Sequence, residues 1–78
     1  MAQARTAADT GFEAAVNANF RRLVGLARAM LGSGLRDAKE PEDLVQDAML
    51  RLFRQRESYD WSDGGWSLMA KSVARNVI

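Results

Sequence analysis

The chain has no cysteine, no histidine and a single proline, Pro41. Lack of cysteine excludes a disulfide framework, a thiolate nucleophile and any cysteine-ligated metal site. Lack of histidine removes the Ser-His and Cys-His designs for nucleophilic catalysis, together with the usual zinc sets. There are no β-rich runs, which argues against a sandwich, and nowhere do about 18 apolar residues run together to span a membrane. Residues 1–10 lack the apolar core of a signal peptide, so a cytoplasmic location is expected. An excess of one charge is missing too. With 11 Lys+Arg against 10 Asp+Glu the net charge is +1, too weak a field to argue nucleic-acid binding by itself. No catalytic residue, metal site or cofactor is expected.

What remains is one small globular domain, since 78 residues with 47% apolar content are enough for a single core. Residues 1–10 read as a flexible tail. Thr10 with Glu13 matches a capping box, and Phe12, Val16, Phe20, Leu23, Ala27, Met30 and Leu31 then recur at helical spacing. This predicts a first helix over 11–31, ended by Gly32, Ser33 and Gly34, and a loop over 32–40. Pro41 suits the first turn of a second helix over 41–57, where Glu42 and Asp43 complement the dipole. Leu44, Val45, Ala48 and Leu52 form its apolar face, while Arg51, Arg54 and Arg56 lie toward its C-terminal end. Tyr59 to Gly65 is a turn-rich loop, and Ser62 or Asp63 can cap a third helix that buries Trp66, Met69, Ala70, Val73 and Val77. The expected core is Phe20, Leu23, Ala27, Leu44, Ala48, Leu52, Trp66, Ala70 and Val73. The third helix reaches Ile78 with no Gly, Pro or polar stop, so the expectation is an all-α domain of three helices, the last truncated.

Two features point outward. On the second helix Asp43, Gln46, Asp47 and Leu50 share the face opposite Leu44, Ala48 and Leu52. One reading is a solvated face with a stray leucine; the other is a contact for a partner with basic groups around an apolar spot. The loop holds Tyr59 and Trp61 and leads into Trp66. One reading is that Tyr59 and Trp66 pin the loop on the core, whereas Trp61, between Asp60 and Ser62, has less reason to be buried. An exposed ring beside Lys71 and Arg75 suits stacking on an unpaired base with cations on the phosphates. The acids Asp37, Glu40, Glu42, Asp43 and Asp47 surround a helix N-terminus, where capping and dipole compensation explain them better than catalysis.

The run Pro41-Glu-Asp-Leu-Val-Gln-Asp-Ala-Met-Leu-Arg-Leu-Phe-Arg54 resembles the helix of bacterial RNA polymerase sigma factors whose common form is D-A-E-D-L-V-Q-E-V-F-L-R-L-W-R. Leu23-Val-Gly-Leu-Ala-Arg-Ala-Met-Leu-Gly32 upstream, Tyr59-Asp60 and Val73-Ala-Arg-Asn76 downstream resemble the family's flanking motifs in order and spacing. The likeness covers about residues 12–78 and is nearest the extracytoplasmic-function group. Lys71 and Met69 depart from the common pattern, as does the longer 32–40 loop, and neither the basic continuation after Asn76 nor the family's second domain is present.

The resemblance implies a sigma factor region 2 domain over 11–78, with core RNA polymerase and promoter DNA as partners, and an anti-sigma factor besides. It places Asp43, Gln46 and Asp47 against a coiled coil of the polymerase β′ subunit, and the wheel adds Leu50. It also places the loop Tyr59, Asp60, Trp61, Ser62 and Asp63, with Asn76, beside a base flipped from the −10 non-template strand. Lys71 and Arg75 are then the candidates for phosphates. The alternative is a sigma-like mimic or helical interaction domain that binds an anti-sigma factor and no DNA.

Overall fold

Helix formation starts earlier than the Thr10 capping box predicts. In the computed structural model, which describes residues 6–32 and 40–77, the first helix α1 spans Ala7–Leu31. Thr6 is the cap: its hydroxyl accepts from the Asp9 N–H at 3.0 Å, and the Asp9 carboxylate accepts from the Thr6 N–H at 3.2 Å. This reciprocal arrangement satisfies two orphan donors. A tertiary contact reinforces it, because Asp9 also binds the Arg56 guanidinium. Residues 7–10 are therefore helix rather than tail. Gly32, at φ 80°, closes α1 by donating its N–H to the Arg28 carbonyl at 3.2 Å. Residues 1–5, the 33–39 part of the expected loop, and Ile78 lie outside the described residues.

Helix α2 spans Pro41–Arg54 and has no side-chain cap, relying on Pro41 at its start and on Glu42 and Asp43 in the first turn. It ends three residues before the predicted boundary. There the chain tightens into a 3₁₀ turn over Arg56–Ser58, with Ser58 N–H donating to the Gln55 carbonyl at 2.9 Å. Helix α3 spans Trp66–Val77. It follows Gly64 and Gly65, both at positive φ. The Asp63 carboxylate accepts from Gly65 N–H at 2.9 Å, one residue ahead of the helix, instead of from a helical amide.

Each helix packs on the other two, and the described residues contain no strand: the domain is all-α with three helices. Leu23 and Ala27 of α1, Val45 and Ala48 of α2, and Met69 and Val73 of α3 are fully buried. Each of the larger side chains contributes roughly 1.5–3 kcal/mol by leaving water. The expected core needs correction at its edges. Phe20, Trp66 and Ala70 are half-buried, and Met30 is exposed, while Ala15, Val24, Met49 and Trp61 join the interior. The reason lies in α1, which buries Ala15, Asn19, Leu23 and Ala27, every fourth residue. Small side chains at both ends of that row allow close approach, and the bulkier row of Phe12, Val16 and Phe20 moves to the flank beside α2.

Candidate interaction surfaces

Helix α2 packs on both other helices and presents three surfaces. Its outward face carries Asp43, Gln46, Asp47 and Leu50, all exposed, with Leu50 at 57%. The predicted face is thus brought together. Asp47 is not free on it, since Arg51 one turn on lies 3.4 Å away. Both partners are well solvated, so the pair is weak and easily exchanged for another.

Toward α1 the face slopes into an apolar groove of about 310 Å³. Phe12, Val16 and Phe20 form one wall, and Gln46, Met49, Leu50 and Phe53 form the other. Phe12 meets Phe53 at 5.4 Å between ring centroids, which sets the floor at one end. The groove was not foreseen. Its signal is the same α1 stripe assigned to the core: with Leu23 and Ala27 filling the interior, three large side chains were left over.

Toward α3 the surface is a cleft of about 310 Å³ with opposite chemistry. Arg51 and Arg54 from α2 face Lys71 and Arg75 from α3 across Leu52 and Leu68. Arg54, Lys71 and Arg75 have no ion-pair partner among the described residues. Lys71 and Arg75 were expected as phosphate ligands. The sequence places Arg51 and Arg54 only toward the C-terminal end of the second helix, although cations one α2 turn apart already mark a patch. Tyr59 closes one end, half-buried, with its hydroxyl donating to Gln55 Oε1 at 3.1 Å.

The loop itself corrects the expectation for Trp61. Its indole is buried, donates from Nε1 to the Arg56 carbonyl at 2.9 Å, and meets Phe12 edge-on at 5.5 Å. Two glycines make the space: a Cβ on Gly11 would lie 2.7 Å from Trp61 Cβ, and one on Gly65 2.9 Å from its ring. A glycine inside a helix costs about 1 kcal/mol relative to alanine, and admitting the indole accounts for Gly11. Trp61 is a core residue, unable to stack on a base without leaving the fold. Tyr59 is the loop's accessible ring. Asp60, Ser62 and Asp63 are exposed as expected. The Ser62 side chain and then its N–H, at 2.9 Å, hold the Asp60 carboxyl below the usual carboxylate range, so it stays an ionised acceptor.

Asn76 makes a contact within the fold that the sequence does not predict. It is half-buried, and its amide donates to the Leu44 carbonyl at 2.9 Å, tying the end of α3 to the first turns of α2. That donor is engaged within the fold. Trp66 is half-buried beneath the Arg22 guanidinium at 4.3 Å, and so joins α3 to α1. Among the described residues no three His, Cys, Asp or Glu side chains converge on a metal position, and no helix is long and apolar enough to cross a membrane.

The family model described as Sigma-70 region 2 matches residues 15–78. No curated protein and no solved structure matches the chain at a significant level.

Proposed function

The chain belongs to the sigma-70 region 2 family, whose role is RNA polymerase binding and promoter recognition, and on that premise we propose how its surfaces divide the work. The outward face of α2, with Asp43, Gln46, Asp47 and Leu50, docks core polymerase through the β′ coiled coil. Leu50 fills an apolar spot, Gln46 hydrogen-bonds, and Asp43 and Asp47 pair with basic groups. Asp47 exchanges Arg51 for a partner cation at little cost. The apolar groove beside this face extends it for a bound helix, and an anti-sigma factor that occupies the groove blocks the polymerase contact. The domain is of the extracytoplasmic-function type and acts in the cytoplasm, where polymerase is.

On the other side of α2, Lys71 and Arg75, joined by Arg51 and Arg54, hold phosphates of the −10 non-template strand. Tyr59 takes the stacking role expected of Trp61, and the exposed loop residues Asp60, Ser62 and Asp63 meet the unpaired base. The observation that carries this division is the opposition across one helix. Acids and apolar groups lie on one side, and four cations lie on the other, of which Arg54, Lys71 and Arg75 have no ion-pair partner among the described residues. A single-stranded nucleic acid needs cations plus one aromatic face, which the cleft supplies.

A second reading draws on Trp61 and Asn76, two expected DNA ligands that are engaged inside the fold. It makes the domain a sigma-like mimic that binds an anti-sigma factor without DNA. Titration of fluorescent −10 single strands with the chain, alone and with core polymerase, separates the two. The sigma reading requires salt-dependent binding that rises with polymerase present. No strand binding in either condition, together with tight anti-sigma binding, selects the mimic.

A further inference from the structure

Among the described residues Asn19 is the one buried polar side chain, 4% exposed, in the row where α1 otherwise buries Ala15, Leu23 and Ala27. An amide placed there is costly unless it is hydrogen-bonded, and a leucine or alanine would serve packing alone. Its Nδ2 donates to the Gly64 carbonyl at 2.9 Å, across 45 residues of chain, and lies 3.9 Å from the Met69 sulfur. The target is informative. Gly64 and Gly65, at φ 87° and 75°, are the loosest links of the loop that precedes α3. Gly65 is wedged between Ala15 and the Trp61 ring, but nothing lies near the Cα of Gly64 on its side-chain side. The Gly64–Gly65 peptide is held at both ends, its carbonyl by Asn19 and its N–H by the Asp63 carboxylate, and Asn19 is the end anchored in the core.

We propose that Asn19 is a positioning residue that sets the shape of the 59–65 loop for base selection. The proposal rests on the reading of that loop as the segment that meets an unpaired base. Asn19 holds the Gly64 carbonyl against α1, next to the turn that the Gly64 N–H closes on the Trp61 carbonyl at 3.1 Å and that presents Ser62 and Asp63. Base discrimination needs donors and acceptors held in one geometry, and a loop hinged on two glycines does not hold one alone. Asn19 touches no base. It acts from within α1, far in sequence from every candidate DNA ligand, through one hydrogen bond to the loop backbone.

The test uses the chain bound to core polymerase and four −10 single strands that differ at one base. Asn19→Leu keeps the volume and removes the donor, and Asn19→Asp keeps the shape but turns an acceptor toward the carbonyl. Discrimination among the four strands should fall about tenfold or more in both variants, equivalent to roughly 1.4 kcal/mol. The salt slope and polymerase affinity should stay as in the parent. Amide exchange keeps the result independent of DNA: residues 62–65 should exchange faster while Leu23, Val45 and Val73 keep their protection. Unchanged base preference in both variants overturns the proposal. So does a loss equal for all four strands accompanied by faster exchange in the core, which marks a general structural role. A parent that shows no base preference instead overturns the reading of the loop, and is recognised before any variant is made.

Discussion

The two flanks of α2 enclose similar volumes and differ in almost everything else. The groove beside α1 is lined by three phenylalanines with valine, methionine and leucine, and only Gln46 is polar. The cleft beside α3 sets four cations around leucine floor residues and one tyrosine. On the proposed reading, affinity in the groove comes from apolar area and is insensitive to salt, whereas affinity in the cleft comes from phosphate contacts and falls with salt. One 14-residue helix thus separates two binding chemistries by its own width. Both depend on its buried side, because Leu44, Val45, Ala48 and Leu52 fix the rotation of the helix that sorts the other residues left and right.

The largest effect should come from breaking that buried side. Leu52 lies beneath the cleft and is 5% exposed, so Leu52→Ala should cost about 2–5 kcal/mol in denaturant melts. A domain this small has little net stability to lose, so polymerase and DNA binding should fail together. A melt unchanged from the parent would show that this side of α2 does not hold the fold.

Next in size is a change on the groove side alone. Leu50→Arg puts a charge at the centre of the outward face, and Asp47→Arg meets basic partner groups with like charge. Each should weaken polymerase binding by about 2–3 kcal/mol, read by fluorescence anisotropy with core enzyme. The melting temperature should barely move, since both residues are exposed and the Asp47–Arg51 pair is weak. The salt slope for single strands should not change in Leu50→Arg, whereas Asp47→Arg also releases Arg51 toward the cleft. If Leu50→Arg alters the DNA salt slope as much as the polymerase affinity, the two flanks are not separate surfaces.

How much of this contrast was legible in the sequence depends on how far apart the partners are in the chain. The outward face of α2 was readable because four residues on one helix obey one period, and α2's apolar face was readable for the same reason. Trp61 was misread because its local neighbours, Asp60 and Ser62, are polar, while the space it fills is made by Gly11, fifty residues earlier. A glycine within an otherwise regular helix was the available hint. Asn19 sat in plain view at the fourth-residue spacing between Ala15 and Leu23, but a buried amide is recognisable only through its distant acceptor, Gly64. The cleft joins residues from two helices, and no single-helix pattern brings Arg51 and Arg54 to Lys71 and Arg75.

Smaller effects are expected from single cations in the cleft. Arg54→Ala, Lys71→Ala and Arg75→Ala should each weaken every −10 strand alike, by less than the groove substitutions weaken polymerase. Each should reduce the slope of log affinity against log salt by about 0.7, the value for one single-strand phosphate contact. Tyr59→Ala provides the contrast within the same cleft, because stacking carries little salt dependence: affinity should drop by about 1–3 kcal/mol with the slope retained. Slopes unchanged in all three cation variants would leave the cleft without phosphates.

The smallest effect concerns the joint between the two regions, where Asp9 of α1 binds Arg56 in the turn that follows α2. Arg56 lies over the Phe53 ring at 4.0 Å, at the end of the groove, and its carbonyl receives the Trp61 indole N–H that anchors the loop beside the cleft. The guanidinium's hydrogen bond, and then that of the Thr6 N–H, hold the Asp9 carboxyl below its ordinary range. A carboxyl with a lowered folded-state pKa contributes stability above its unfolded value, about 3.9, and loses it as the pH falls through the lower folded value. Asp60 shifts the same way through Ser62, so a melting temperature that declines below about pH 4 does not by itself identify Asp9. Asp9→Asn and Asp60→Asn, melted across that range, divide the two. The Asp9 variant should have a slightly lower melting temperature at neutral pH and a flatter decline in acid. It should also lose both ends of the joint, with faster exchange at the Trp61 indole N–H as well as at the Thr10 amide. An Asp60 variant should flatten the acid decline without touching Thr10. Equal exchange at both positions in both variants would mean that the groove end and the loop are held independently, and that α2 alone couples the two flanks.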